Sequence, residues 1–410
     1  NHPGCEDHTR YVTDMLKVMG ILSSKWDEGF GISGYSDDTY PSYCKDAIAY
    51  VGYAMFEQYV ATKLCGVRYT IGYGGLLSDI RTKSALLKAL YDNLYTEEQP
   101  PVLFVHANTT RYWDHDIDAN YGMLAQEMLM AVLAEQRYRT GAMILPIPIT
   151  EKVHVPTTEA IKNVLGLCSR IEENIEQWES VTDFTRIDEM AEDLKSKGRK
   201  MFNNMLDILD DAGLDINDPM EMLMFIKKFN AGLFEETFHP YKDGGERVMV
   251  SYYTDMGEMT RNMADTSSAA VEKNELENAL KGRRILLAST DAHVYGMHYV
   301  RDVLKKAGAD VVDGGVDSAV SYIFDVAEEE GIRYIGVSTH NGQALGIAEQ
   351  ILEEQEKRQV KYIVFMGGVL NTILPGHSEP SDVKTMINDK GLFADNDLIE
   401  TIKMIRDAKL

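Results

Sequence analysis

Long apolar runs are missing from this chain of 410 residues. No stretch of about 18 apolar residues occurs, so a helix crossing a membrane is not expected. Cysteine is scarce. The four present, Cys5, Cys44, Cys65 and Cys168, are scattered and lack metal-type spacing, and they read as reduced thiols of a cytoplasmic protein. Basic residues are short as well: 41 Lys and Arg stand against 65 Asp and Glu, for a net charge of −24. Nucleic-acid binding through phosphate contacts is therefore not expected, and the acidity reads as a solvated surface. The opening residues, Asn1-His2-Pro3-Gly4-Cys5-Glu6-Asp7, hold no basic and apolar leader, so no secretion signal is expected. No internal repeat or low-complexity tract stands out.

What is present is enough apolar residue, 44%, to build real cores, in a chain long enough for two or three domains. Residues 283–410 alternate between strand and helix patterns. Strands are expected at 285–289, 310–314, 334–338 and 362–366. Helices are expected from about Tyr295, Ser318, Gln343 and Asn396. This is the pattern of a doubly wound parallel sheet, whose ligands sit outside the carboxyl ends of the strands. Three small clusters fall at such ends. Asp291-Ala292-His293-Val294-Tyr295-Gly296 follows the first strand, Ser338-Thr339-His340 ends the third, and Gly367-Gly368 ends the fourth. A His with a carboxylate two residues before it suits a metal ligand. The carboxylate takes the proton of one ring nitrogen and leaves the other free. Small residues on the same rim leave room for something large between sheet and helices.

The separations sharpen this reading. Residues 297–337 lie between the first two clusters, and residues 341–366 between the last two. The three-part pattern resembles the cobalamin-binding domain of the base-off, His-on type, where it runs Asp-x-His-x-x-Gly, Ser-x-Leu, Gly-Gly. The resemblance implies that His293 binds cobalt in place of the cofactor's own base and that Asp291 fixes its tautomer. It also implies that the displaced nucleotide tail enters a slot floored by Ser338, Gly367 and Gly368, with Gly296 letting the loop pass close under the corrin. His340 stands where the family has Leu.

Residues 1–180 also alternate. Strands are expected at 67–73, 101–106 and 142–146, and helices at 43–64, 78–95, 120–139 and beyond Thr157. This reads as part of a (β/α)₈ barrel, its carboxyl half. A full barrel needs roughly 250 residues. An incomplete one exposes sheet edges and an apolar interior, so a second chain completing the barrel is expected, or else the chain is a fragment. Residues 181–282 read as mostly helical, at 188–211 and 219–229, broken by the polar stretch Asp243-Gly244-Gly245-Glu246-Arg247. Residues 265–281 read as a linker.

A second resemblance rests on the run 69–79 (Tyr-Thr-Ile-Gly-Tyr-Gly-Gly-Leu-Leu-Ser-Asp), on His106, and on the run 149–157 (Ile-Thr-Glu-Lys-Val-His-Val-Pro-Thr). Together they look like the catalytic-subunit barrel of glutamate mutase, over about residues 40–280. That family converts glutamate to 3-methylaspartate with adenosylcobalamin. The resemblance implies a radical carbon-skeleton mutase acting on a small acidic substrate. It places Glu151 on the ribose of the adenosyl group, which a carboxylate suits because it can accept from both hydroxyls. His106 sits at a strand's carboxyl end, where barrel active sites gather. Ile147 stands where the family has Lys, and Asn108-Thr109-Thr110 where it has Met-Gly-Gly. The Arg residues that grip the substrate belong to a half-barrel absent here.

Two other readings use the same cobalamin domain: a corrinoid methyl-transfer protein, and a non-catalytic carrier or sensor. Other features read plainly. Gly72-Tyr73-Gly74-Gly75 lacks the Lys and Ser or Thr of a phosphate loop and reads as a strand-to-helix turn. The 21 methionines read as core filler, and Trp113-Asp114-His115-Asp116 as a solvated loop.

Overall fold

The computed structural model describes residues 8–25, 30–35, 46–74, 77–107, 116–150, 156–228, 235, 237–239, 255–291, 295–340, 342–377 and 380–409. Their contacts divide into two compact units, the first ending at Met259 and the second beginning at Thr260. No helix among the described residues is long and apolar enough to cross a membrane.

The first unit holds α1 (His8–Ser23), β1 (Gly31–Tyr35), α2 (Ala47–Gln58), β2 (Arg68–Tyr73), α3 (Ile80–Leu94), β3 (Val102–His106), α4 (Ile117–Tyr138) and β4 (Met143–Leu145). After them come α5 (Thr158–Glu172), α6 (Ile175–Glu179), α7 (Thr185–Asp211) and α8 (Pro219–Lys228). The four strands form one parallel sheet in chain order, β1-β2-β3-β4. Each helix between them begins where its sequence can cap it. Asp79 accepts from the amides of Arg81 and Thr82 at the start of α3, and Asp116 from Ala119 at the start of α4. Residues 47 to 56 of α2 are buried without a break, the mark of a helix covered on all sides. One cover is α7, whose buried residues Ile187, Ala191, Leu194, Gly198, Met201, Met205 and Leu209 recur every three or four positions. The crossing is close because two glycines permit it. A Cβ on Gly198 would lie 2.4 Å from Val51 Cγ1, and one on Gly52 would lie 3.0 Å from Met201 Cγ.

The structure adds elements that the sequence reading left out. Helix α1 and strand β1 both precede the expected first strand. Strand β1 has little strand character of its own. Its glycines are needed instead, since a Cβ on Gly34 would lie 2.6 Å from both Glu57 Oε2 and Tyr69 Oη. The stretch 265–281, expected to be a linker, is helical as far as Lys273, within α9 (Asp255–Lys273). Its buried Val271 joins the core of the second unit.

The second unit continues with β5 (Arg284–Ser289), α10 (Tyr295–Lys306), β6 (Asp310–Asp313), α11 (Val320–Glu329), β7 (Tyr334–Thr339), α12 (Ala344–Arg358) and β8 (Ile363–Gly368). It closes with β9 (Asn371–Ile373), β10 (Pro380–Asp382), α13 (Lys384–Asp389), β11 (Phe393–Ala394) and α14 (Leu398–Asp407). Five of these strands form a parallel sheet in the order β11-β8-β7-β5-β6. The short strands β9 and β10 pair antiparallel beside it. Strand β7 is buried throughout and β5 all but at its first residue, as expected of parallel strands covered on both faces. Residues from α10 and α14, among them Val303, Leu304, Ile402 and Ile405, pack with Ile285, Tyr334 and Phe365 on one face. Residues from α11 and α12, among them Ile323, Phe324, Ile347 and Ile351, pack with Leu286, Ile335 and Val364 on the other. The fold is α/β with parallel sheets.

A candidate cofactor site at the rim of the second sheet

In the five-stranded sheet the chain moves from β5 outward to β6, then returns across β5 to β7. Connections leaving β5 and β7 therefore go to opposite faces, and a crevice opens at the carboxyl ends of the strands. Register decides what lines it. Leu287, Gly336 and Phe365 stand side by side across β5, β7 and β8, and Ser289, Ser338 and Gly367 form the next row toward the rim. Paired residues of parallel strands share a face. The rim row is therefore small on all three strands, while the row beneath it sets bulky Leu287 and Phe365 on either side of Gly336. Gly336 lets the Phe365 ring lie across it, because a Cβ there would come within 2.5 Å of that ring.

Above these rows lies a cavity of about 320 Å³. Gly296, Met297, Tyr299 and Val300 of α10 form one wall, and Asp395, Asn396, Leu398 and Thr401 another. Leu287, Ser338, His340, Phe365, Gly367 and Gly368 complete it. That volume is at the low end for small-molecule pockets, so it suits one arm of a large ligand better than the whole. A Cβ on Gly367 would meet only Asn396 Oδ1 and the Asp395 carbonyl, both at 3.5 Å. The absent side chain therefore leaves open space rather than relieving a clash. Gly368 has a different role. Its φ is +100°, and a Cβ would lie 2.3 Å from the Thr339 carbonyl oxygen. Only glycine serves there.

Hydrogen bonds tie the rim together. Asp291 Oδ2 accepts from the backbone N–H of His340 at 2.6 Å, and His340 Nδ1 lies 3.5 Å from the same oxygen. The Thr290 N–H donates to the Ser338 carbonyl at 3.0 Å. The Asp291 carboxylate thus fastens the loop after β5 to the end of β7. Asn396 acts like a strand mate for Gly368. Its Oδ1 accepts from the Gly368 N–H, and its Nδ2 donates to the Gly368 carbonyl, each at 3.0 Å.

Of the residues singled out from sequence, Gly296, Ser338, His340, Gly367 and Gly368 line the one cavity, and Asp291 is bonded to its edge. His293 and Glu151 lie outside the described residues, as do Asn108, Thr109, Thr110, the polar stretch 243–247 and residues 113–115 of the loop ending at Asp116. His106 belongs to the first unit, at the carboxyl end of β3, where its carbonyl accepts from Lys83 Nζ at 3.0 Å. Lys83 also meets Glu127 Oε2 at 2.6 Å, both side chains almost wholly buried. Sequence reasoning missed Asn396. The available signal was the run Asp395-Asn396-Asp397 before a helix, where Asp397 caps α14 by accepting from Ile399 and Glu400. Of the four cysteines, Cys65 and Cys168 are described, both as free thiols. Burial pushes the Cys168 thiol up to about 11, with Glu172 adding to the effect.

Residues 285–389 match the family model of the B12 binding domain. The match supports cobalamin binding by this chain, and it covers the loop after β5, the end of β7 and the Gly367-Gly368 pair. The walls given by Asp395, Asn396, Leu398 and Thr401 lie beyond it. No curated protein matches. Among solved structures, the crystal structure of a cobalamin-binding protein from Desulfitobacterium hafniense DCB-2 is 21% identical. The likeness covers 36% of this chain and 68% of that one at a TM-score of 0.27, too low to carry an argument.

The residues present fit a cobalamin. The rim row of small residues, the bare face of Gly367 and a cavity of this size would take a nucleotide tail. Asp291, two residues before His293, stands fixed on the same rim.

Proposed function

We propose that this chain is an adenosylcobalamin-dependent carbon-skeleton mutase acting on a small acidic substrate of the glutamate and 3-methylaspartate type. His293 is the cobalt ligand. Asp291 accepts the proton on one imidazole nitrogen and leaves the other for the metal. Ser338, Gly296, Gly367 and Gly368 border the slot for the nucleotide tail, with Asn396 as a further wall. When bound, adenosylcobalamin would supply the radical chemistry of the rearrangement. The protein's part is to hold the substrate, orient it and keep water away.

The observation that carries this reading, beyond the cobalamin domain itself, is what precedes that domain. Four parallel strands in chain order with helices between them support the reading of this part as an arc of a barrel. A methyl-transfer corrinoid protein, the second reading, would place a short helical bundle there instead. On our reading the substrate meets the carboxyl-end rim of that arc, with Glu151 on the adenosyl ribose and His106 close by. A second chain, or a longer form of this one, completes the barrel and brings the basic residues that hold the substrate carboxylates.

Reconstitution tests this. The full chain, with the protein that copurifies with it, is expected to turn over glutamate or a related dicarboxylate with adenosylcobalamin in the dark, and to lose activity on illumination. Methyl transfer from methylcobalamin to a thiol or pterin, without isomerisation, would overturn the reading.

A further inference from the structure

The cavity at the second rim is polar at its mouth and apolar below. Ser338 stands in the rim row, His340 follows the end of β7, and Asn396 precedes α14. Leu287 and Phe365 lie one row farther in, and Val300 and Leu398 pack with Phe365 in one apolar cluster. Most polar side chains of the walls are already committed. Both ends of the Asn396 amide bond the Gly368 backbone. The Asp395 carboxylate meets Lys384 Nζ at 2.8 Å and accepts from the Asp397 N–H at 3.0 Å. Thr401, 1% exposed, donates its hydroxyl to the Asp397 carbonyl at 2.9 Å. The Tyr299 phenol is what the described walls still offer below the mouth.

A nucleotide tail has the same gradient, with phosphate and ribose nearer the corrin and the base at the far end. A tail entering this slot therefore brings its base into the apolar part. There the base gives up its water, and each polar atom left without a partner costs about tenfold in affinity. A phenol has no ring nitrogen. A benzimidazole has one beyond its sugar linkage, whereas adenine has three and an amine. One tyrosine hydroxyl cannot serve all of these. We propose that the slot selects its cobamide by the lower base, taking phenol and benzimidazole tails and discriminating against purine tails. This rests on the slot being the site of the tail.

The test titrates the full chain, under absorbance, with p-cresolyl, dimethylbenzimidazolyl and adeninyl cobamides and with cobinamide, which has no tail. The adeninyl form is expected to bind at least about tenfold more weakly than the p-cresolyl form. Leu398→Gln and Val300→Gln each supply an amide that can give to and accept from a base. At least one is expected to narrow that gap by about threefold or more. Comparing one pair of cobamides across proteins cancels how firmly each free base holds its own cobalt. Equal binding of the two forms by the wild type, or a gap that neither variant narrows, would overturn the selection and leave the slot as the tail's site. Cobinamide binding as tightly as the tailed forms would overturn that site and this proposal with it.

Discussion

The two sheets of this protein solve one problem in opposite ways. Both are parallel, and both end their strands on a rim where βα connections begin. The first runs in chain order, β1-β2-β3-β4. The second reverses direction between β5 and β7. Where the order is sequential, successive connections leave on the same side. There the ends of β2 and β3 are locked from beneath: Lys83 Nζ reaches the His106 carbonyl and Glu127 at once, and the Tyr73 hydroxyl donates to the Lys83 carbonyl at 2.9 Å. Where the order reverses, connections part and a crevice remains. Serine and glycine stand along its rim, and it holds open space. One rim is thus held by buried charge, and the other is kept clear by small residues.

The comparison can be broken most forcefully at the locked rim. Lys83→Met removes a cation from the buried Glu127 carboxylate, and removing one member of a buried pair costs about 3–5 kcal/mol. Hydrogen exchange at the amides of α3 is expected to show that loss in the first unit, while cobalamin uptake by the full chain is unchanged. A smaller effect is expected beneath the open rim. Gly336→Ala forces the Phe365 ring aside, and overpacking of this kind costs about 1–3 kcal/mol. Urea unfolding of the second unit, followed by far-ultraviolet dichroism, would measure it. The smallest effect on stability belongs to Gly367→Val, one row nearer the rim. Its Cβ meets only ordinary contacts, so unfolding should shift by no more than about 0.5 kcal/mol. Cobalamin binding measured by absorbance should nevertheless fall, since the branched side chain fills the slot. A Gly367→Val protein that unfolded early but bound normally would reverse the roles assigned to these two glycines.

Much of the second unit was legible in the sequence because its signals are local. Strands buried on both faces read as apolar runs, and the clusters at 291–296, 338–340 and 367–368 follow those runs directly. The first unit was legible as alternation, but β1 was not, because Gly31-Ile32-Ser33-Gly34-Tyr35 has no apolar run. Its place is set by its neighbour β2 and by two glycines that allow close approach. The helix up to Lys273 was not foreseen in the stretch 265–281, where buried Val271 packs with residues far along the chain such as Ile285 and Ile402. Asn396 escaped because its partner, Gly368, is 28 residues earlier in the chain.

Sequence alone settled that residues 283–410 alternate strand and helix, and where the three rim clusters fall. These follow from periodicity and from residue size, which act over a few neighbours. Only the tertiary structure settled strand order, and with it the register that aligns Ser289, Ser338 and Gly367 into one bare row, the bond from His340 to Asp291, and the buried ion pair under β3. Each of these joins residues far apart in the chain, and a contact between distant residues is fixed by how elements pack, not by what stands beside each residue in sequence.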